Sequence, residues 1–456
     1  MYFEQFYLGC LAHASYLLGS NGVGVVVDPQ RDVDIYLKAA AEQNLRIEHI
    51  FETHLHADFV SGHRELAERT GAKIYIGEKA GAKFPHVAVK DGTTVPFGES
   101  LIRVLETPGH TPESICLVVH QRNAEPHPWA VLTGDTLFIG DVGRPDLSDT
   151  HTPQQLAALM YDSLHRKLLS LPDDVLVYPA HGAGSLCGRS MSNARFSTIG
   201  AERLANHALQ IASQEEFVVD LTANLPPRPA YFAQDAAINR EGAPAMTELP
   251  PIVALSTAEV KLAQANGAMV LDVRPAAQFA VAHVPGAINI GFGGQLASWA
   301  GIVLGLSANV VIVAESAEQA EETRTRLARV GIEHTVGYLR DGMTAWQRAG
   351  EQVQSIPQIA AKDLRGRRGE FTVLDVRRES EWQGGHIEGA TWHALDNFPR
   401  ELPSVDKDAP LAVHCQGGYR SMIAASLLQR AGFTKVTDVT GGYDAWVESQ
   451  AAVAKN

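Results

Sequence analysis

The chain is 456 residues long, 45% hydrophobic and 20% charged, with 38 Lys and Arg against 52 Asp and Glu for a formal net charge of −14. This length predicts about three globular domains, and the acid excess excludes nucleic acid as a partner, because neutralising phosphates takes basic surface. Only 4 cysteines occur, too few to frame so long a chain with disulfides, so a reducing cytoplasm is expected. Met1-Tyr2-Phe3-Glu4-Gln5-Phe6 opens without a basic run, which predicts no secretory signal. The most apolar stretch, Trp299 to Ala314, falls short of the ~20 residues a span needs and is interrupted by Ser307 and Asn309, so no membrane association is expected.

In chain order, the first informative element is an apolar strand, Ile47 to Phe51, running into Thr53-His54-Leu55-His56-Ala57-Asp58-Phe59. Two histidines and an aspartate at alternating positions aim their side chains at one point. His63 follows on a helix predicted from Gly62 to Thr70 and reads as a helix-face residue. A second strand, Leu101 to Leu105, ends in Thr107-Pro108-Gly109-His110-Thr111-Pro112 and offers His110. A third, Ala130 to Leu132, ends in Thr133-Gly134-Asp135-Thr136 and offers Asp135, and a fourth, Val175 to Tyr178, ends in Pro179-Ala180-His181-Gly182. Four such strand-end motifs together describe a metal centre better than chance polar residues at ordinary strand ends. Cys10, Cys116 and Cys187 lie in apolar or loop contexts and read as buried, inert thiols.

These motifs resemble the His-x-His-x-Asp-His signature of the metallo-β-lactamase fold, an αββα sandwich that collects ligands from several strand ends and builds two adjacent metal sites. The last histidine of that signature, a ligand of the second site, is Phe59 here. A phenyl ring donates no lone pair, so a single-metal centre is expected. His54, His110 and Asp135 supply two imidazoles and a carboxylate, the facial triad of non-haem iron(II) oxygenases. Within the fold, this departure and the loop from Gly134 to Leu147 resemble the persulfide dioxygenase group, which implies one Fe(II) per chain at those three residues. His56, Asp58 and His181 then orient ligands or bound water. A zinc held by His54, His56 and His110 stands as the competing set. Arg144 is assigned to an anionic part of the substrate, with locking of its own loop as the other reading.

The second half is an internal duplication. Val270-Leu271-Asp272-Val273-Arg274 recurs as Val373-Leu374-Asp375-Val376-Arg377, and Gly342-Met343-Thr344-Ala345-Trp346 recurs as Gly442-Tyr443-Asp444-Ala445-Trp446. Each copy alternates short apolar strands with helices, the pattern of a small parallel-sheet α/β domain, and each resembles a rhodanese domain. The expected architecture is an α/β chain with an αββα sandwich over 1–245 and rhodanese-like domains over 252–352 and 357–456. The stretch from Leu225 to Pro251 is proline-rich and poorly periodic and reads as the connector.

The copies diverge where chemistry would sit. In the second, Leu411-Ala412-Val413 leads into His414-Cys415-Gln416-Gly417-Gly418-Tyr419-Arg420-Ser421 and then an apolar helix. A cysteine in a glycine-rich turn before a helix N-terminus is surrounded by backbone N–H groups that favour an anionic sulfur. Cys415 and Arg420 are therefore the catalytic candidates, with Gly417 and Gly418 shaping the cradle. A cysteine-dependent phosphatase would place one more residue between cysteine and arginine, so the shorter loop favours sulfur over phosphate. Alignment of Gly331 with Gly432 puts Ala314 opposite Cys415, so the first copy is expected to be catalytically silent.

Together these resemblances imply an iron persulfide dioxygenase that converts a glutathione- or coenzyme A-type persulfide and dioxygen to thiol and sulfite. It would be coupled to a sulfurtransferase acting on persulfide, sulfite and thiosulfate, and a homo-oligomer is expected. Two alternatives stay open: a glyoxalase II-like thioester hydrolase, which Phe59 disfavours, and a non-catalytic sulfur carrier with a vestigial metal site.

Overall fold

The computed structural model describes residues 1–189, 191–223 and 225–453. It divides into two units, Met1–Leu249 with Ala328–Gly331 and Pro250–Leu327 with Ile332–Asn456.

The first unit is built on two six-stranded sheets. In one, Tyr2–Leu8, His13–Ser20, Val23–Val27, Arg46–Phe51, Lys73–Gly77 and Val87–Val89 lie side by side in chain order. In the other, Thr94–Phe97, Ser100–Glu106, Ile115–His120, Ala130–Gly134, Leu176–Pro179 and Ser197–Thr198 do the same. Alternation along each strand decides which face a side chain takes. Tyr16, Leu18, Val25 and Val27 of the first sheet form one buried cluster with Ile102, Val104, Leu117, Val119 and Leu132 of the second, so the two sheets face each other. The residues that alternate with these point outward. Leu17, Val26 and Ile50 pack under the helices Asp34–Glu42 and His63–Thr70 through Tyr36, Ala39, Ala40 and Leu66. Cys116, Val118 and Val131 pack under Pro153–Asp162 and Gln214–Thr222 through Ala157, Met160, Phe217 and Leu221. The result is the expected αββα sandwich. Each fully buried Val or Leu contributes roughly 1.5–3 kcal/mol relative to exposure, so the sandwich is a rigid frame for the loops at its strand ends.

One expectation is corrected. The proline-rich stretch is not a bare connector, because Phe232–Glu241 forms a helix that belongs to the first unit and buries Phe232 and Asn239. The prolines at 226, 227 and 229 precede that helix rather than break it.

In the second unit the duplication is exact in topology. One five-stranded parallel sheet runs Ala254–Leu255, Thr335–Leu339, Val310–Val313, Met269–Asp272, Ile288–Asn289. The other runs Gln358–Ala360, Val436–Thr440, Leu411–His414, Thr372–Asp375, Thr391–Trp392. Register confirms the alignment across copies, since Asp272 pairs with Val313 and Asp375 with His414, which puts Ala314 and Cys415 at equivalent positions. The repeated Asp-Val-Arg is structural. Arg274 grips Asp272 and the carbonyl of Ala282, and Arg377 grips Asp375 and the carbonyl of Gly385, all buried.

Candidate functional site

The strand Arg46–Phe51 delivers Thr53 and His54 to one end of the sandwich, where turns after Ser100–Glu106 and Ala130–Gly134 bring His110 and Asp135. The three candidate ligands are buried, and their ligand atoms lie within 4.8 Å of one another. Asp135 Oδ2 is 3.4 Å from His110 Nε2 and 3.9 Å from His54 Nε2. Among the described residues none of these three atoms has a hydrogen-bond partner. Buried polar atoms are rarely left so, and three converging ones with two imidazole nitrogens and a carboxylate oxygen fit a metal ion of the facial-triad type. Gly134 makes the turn possible. Its φ is +51° and a Cβ there would lie 2.6 Å from Thr53 Oγ1.

The far side of each imidazole fixes its tautomer. Thr53 Oγ1 donates to Asp28 Oδ2 at 2.9 Å, so its single proton is spent and it accepts from His54 Nδ1 at 3.0 Å. His110 Nδ1 faces the carbonyl oxygen of Arg144 at 2.9 Å, which only accepts. Both rings therefore carry Nδ1–H and present bare Nε2 lone pairs. Burial pushes both histidines below the usual imidazole range, keeping them neutral.

His181 sits between two carboxylates, its Nδ1 2.7 Å from Asp135 Oδ1 and its Nε2 2.9 Å from Asp58 Oδ2. The first contact is a hydrogen bond and the second an ion-pair contact, and the two carboxylates together favour the charged ring. Burial opposes that charge, but Asp135 and Asp58 outweigh it and raise His181 well above the usual range. Burial also opposes ionisation of Asp135, and His181 overcomes it to hold the carboxyl well below the usual range.

His56 points elsewhere. Its Nε2 lies 3.1 Å from Asp28 Oδ1 and 3.8 Å from Glu52 Oε2, in a separate buried group. The competing zinc set of His54, His56 and His110 would need His56 to leave Asp28. His56 instead reaches His54 indirectly, through Asp28 and Thr53. Phe59 is fully buried, its ring 4.1 Å from that of His13 and 4.4 Å from that of His56. His63 starts its helix buried against Phe84, with Nδ1 3.4 Å from Glu52 Oε1 and outside the triad.

Arg144 takes the loop-locking role rather than the substrate-binding one. Its Nε and Nη2 donate to Asp146 at 2.6 and 2.8 Å, Nη1 to the carbonyl of Leu186 at 3.2 Å, and Nη2 also to that of Pro226 at 2.6 Å. With all three nitrogens engaged and the residue buried, it is spent on structure.

Several contributors escaped the sequence reading. Asn239, on the helix hidden in the proline-rich stretch, donates to the carbonyls of His56 and Phe59 at 2.7 and 2.8 Å and accepts from Ser61 N at 2.8 Å. It clamps the metal loop from behind. Cys187 is not merely a packed thiol, since it groups with Asp58 and His181, and burial raises it well above the usual thiol range. His13 is fully buried beside His56, Phe59 and His181. A cleft of about 360 Å³ adjoins the loop, lined by Leu55 and Ala57 together with Thr111, Glu113, Phe232 and Arg240.

In the second unit Cys415 is buried directly after the strand Leu411–His414, and its Sγ accepts from Gly418 N at 3.1 Å. Gly418 has φ +101° at the start of the helix Tyr419–Arg430, a conformation that favours glycine. At Gly417 a Cβ would meet only Asp444 Oδ2, at 3.9 Å, so space does not require glycine there. The turn at Gly441 and Gly442 pins the loop, with Tyr443 N donating to Cys415 O at 2.8 Å and Asp444 N to Gln416 O at 3.1 Å. The other copy bears on this loop. Tyr419 Oη donates to Gly291 O at 2.8 Å, its ring occupies the space a Cβ on Gly294 would take, and Ser426 Oγ accepts from Asn289 N at 3.1 Å. The copy with Ala314 in place of a thiol thus buttresses the helix that begins at the cysteine loop.

A metallo-beta-lactamase superfamily model matches residues 8–181, and a rhodanese-like domain model matches 256–349 and 360–449. The chain is similar to the mitochondrial persulfide dioxygenase ETHE1 of Bos taurus, 31% identical over 231 residues covering 49% of this chain and 82% of that protein. This chain belongs to the metallo-beta-lactamase superfamily and carries two rhodanese-like domains. The Homo sapiens persulfide dioxygenase is 30% identical to this superfamily member over the same shares of the two chains. A hydroxyacylglutathione hydrolase of Francisella tularensis subsp. novicida is 33% identical over 172 residues, 38% of this chain and 63% of that protein. Among solved structures, a metallo-beta-lactamase from Staphylococcus aureus subsp. aureus COL matches with TM-score 0.67 and 31% identity, covering 75% of this chain and 98% of its own. No helix among the described residues is long and apolar enough to cross a membrane, and all four cysteines are free thiols.

The clamp on the metal loop is testable. Asn239→Leu leaves two buried carbonyls and one buried N–H unpaired, at about 1–3 kcal/mol for each unsatisfied group. Denaturant unfolding is expected to show a loss of about 3 kcal/mol or more, and the purified variant to retain less metal than the parent.

Proposed function

We propose that the chain is a non-haem iron persulfide dioxygenase coupled to a rhodanese sulfurtransferase. The observation that carries this reading is the convergence of three partnerless buried atoms, His54 Nε2, His110 Nε2 and Asp135 Oδ2, beside a phenyl ring where a second metal would need a ligand. Bound there, one Fe(II) would supply open coordination positions at which a persulfide sulfur and dioxygen meet. The overall reaction would be R–S–SH + O2 + H2O → R–SH + SO3²⁻ + 2 H⁺. The residues prepare that chemistry. Asp28 through Thr53, and the Arg144 carbonyl, fix the histidine tautomers, while His181 and Asp58 hold the Asp135 carboxylate in place. Phe59, fully buried, offers no ligand to a second ion, and the cleft beside Leu55 and Ala57 would take a low-molecular-weight thiol persulfide of the glutathione or coenzyme A type.

In the second unit Cys415 would carry a sulfane sulfur between persulfide, sulfite and thiosulfate. The Gly418 N–H on Sγ supports an anionic sulfur there. We place both activities in a reducing cytoplasm. The hydrolase relatives keep a second reading in play, thioester hydrolysis, which needs a metal-bound hydroxide and ordinarily the two-metal set.

Oxygen uptake with glutathione persulfide checks the first half. The wild type should consume oxygen and release sulfite, His110→Ala and Asp135→Ala should abolish both, and His63→Ala should keep its metal. Turnover of a glutathione thioester with no oxygen uptake would favour the hydrolase instead. The second half is checked by Cys415→Ser, which should lose sulfur transfer while oxygen uptake persists, since a serine hydroxyl does not ionise as a thiol does. Mass spectrometry of the wild type after exposure to a sulfur donor should place one added sulfur atom on Cys415. An adduct found only on Cys10, Cys116 or Cys187 would contradict the assignment.

A further inference from the structure

The Cys415 loop carries its arginine already occupied. Arg420 and Glu381 meet at two points, Nη1 2.6 Å from Oε2 and Nη2 2.6 Å from Oε1. Their side chains are 17% and 28% exposed, so water screens the pair less than an ordinary surface contact. Both terminal nitrogens that would grip an incoming oxyanion in a fork are therefore engaged. Glu381 is itself anchored, because its Oε2 also accepts from Arg378 N at 3.1 Å at the start of the helix Glu379–Gln383. Arg420, in the first turn of the helix that opens at Gly418, lies within electrostatic reach of Cys415.

Sulfur donors differ in what they ask of such a loop. Thiosulfate brings a sulfonate group whose charge must be met by a cation, and here the arginine of the loop itself is paired with a carboxylate that also repels the anion, while Arg377 is held by Asp375 and Gln416. An organic persulfide carries its reacting charge on sulfur alone, which the loop N–H groups can meet. We propose that Glu381 is a specificity-determining residue of the Cys415 site, which by holding Arg420 disfavours oxyanion sulfur donors relative to organic persulfides. This rests on the sulfurtransferase reading of Cys415. The favoured loading step is R–S–S⁻ + Cys415–S⁻ → R–S⁻ + Cys415–S–S⁻. The donor S–S bond breaks, a new S–S bond forms at Sγ, and the electron pair leaves on the thiolate, with no oxidant or reductant consumed. The disfavoured counterpart is S2O3²⁻ + Cys415–S⁻ → SO3²⁻ + Cys415–S–S⁻.

Glu381→Gln in the full chain tests this, because glutamine at the third helical position still accepts the capping hydrogen bond and removes only the charge. The KM for thiosulfate is expected to fall about tenfold, equivalent to ~1.4 kcal/mol. Loading by the persulfide of 2-mercaptoethanol, which has no charge away from sulfur, should stay within about twofold. A thiosulfate KM that is unchanged or raised while persulfide loading persists would overturn the proposal. Loss of both donors at an unaltered melting temperature would also overturn it, by making Glu381 part of the transfer itself. If the glutamine variant fails to fold, Glu381→Asp decides the matter: its shorter side chain cannot span both nitrogens, and an unchanged thiosulfate KM in that variant would again overturn the idea. Full retention of sulfur transfer by Cys415→Ser would instead defeat the sulfurtransferase reading, a separate and recognisable failure.

Discussion

A buried polar atom ordinarily finds a partner, and at the candidate metal end of this protein three converging atoms have none among the described residues. Taking an imidazole nitrogen or a carboxylate oxygen out of water without compensation costs several kcal/mol, so a cation at the point where His54, His110 and Asp135 converge would offset that cost. The surrounding structure enforces that convergence. Two sheets lock face to face through Tyr16, Val25, Val104 and Leu132, and the loops at their ends inherit that rigidity. Behind the ligands, Thr53 with Asp28 and the Arg144 carbonyl fix which nitrogen carries the proton. Behind the loop, Asn239 ties down the carbonyls on either side of Asp58.

The positions of the candidate ligands were legible because they follow from backbone alone. A strand that ends in a turn puts the next polar residue at the sheet edge, and this holds for His54, His110, Asp135 and His181. Side-chain direction was not legible in the same way. His56 shares its loop and spacing with His54, yet it turns to Asp28, because a carboxylate at the end of a strand more than twenty residues earlier offers a charge-assisted contact. Arg144 was ambiguous for the same reason, and only the fold reveals Asp146, Leu186 and Pro226 around it. Asn239 was invisible because its helix is short, weakly amphipathic and embedded in a proline-rich stretch, where periodicity carries little signal.

The duplicated half shows the complementary lesson. The repeated Asp-Val-Arg, which marks the duplication in the sequence, is a buried ion pair at the end of the same strand in each parallel sheet. Breaking either pair by removing one partner would cost about 3–5 kcal/mol, which accounts for both copies keeping it whether or not a thiol follows. The difference in chemistry comes down to one strand-end position, Ala314 against Cys415. The copy without the thiol supports the other, since its Gly291 to Gly294 loop seats Tyr419 of the cysteine loop.

The central claim is that one metal is held by two imidazoles and one carboxylate, with His56 turned instead toward Asp28. X-ray absorption at the metal edge of the anaerobically purified full chain tests it most directly. The account predicts iron scattering from two histidine rings and light oxygen donors, with no metal neighbour. A spectrum that requires three imidazoles, or a second metal beside the first, would contradict it.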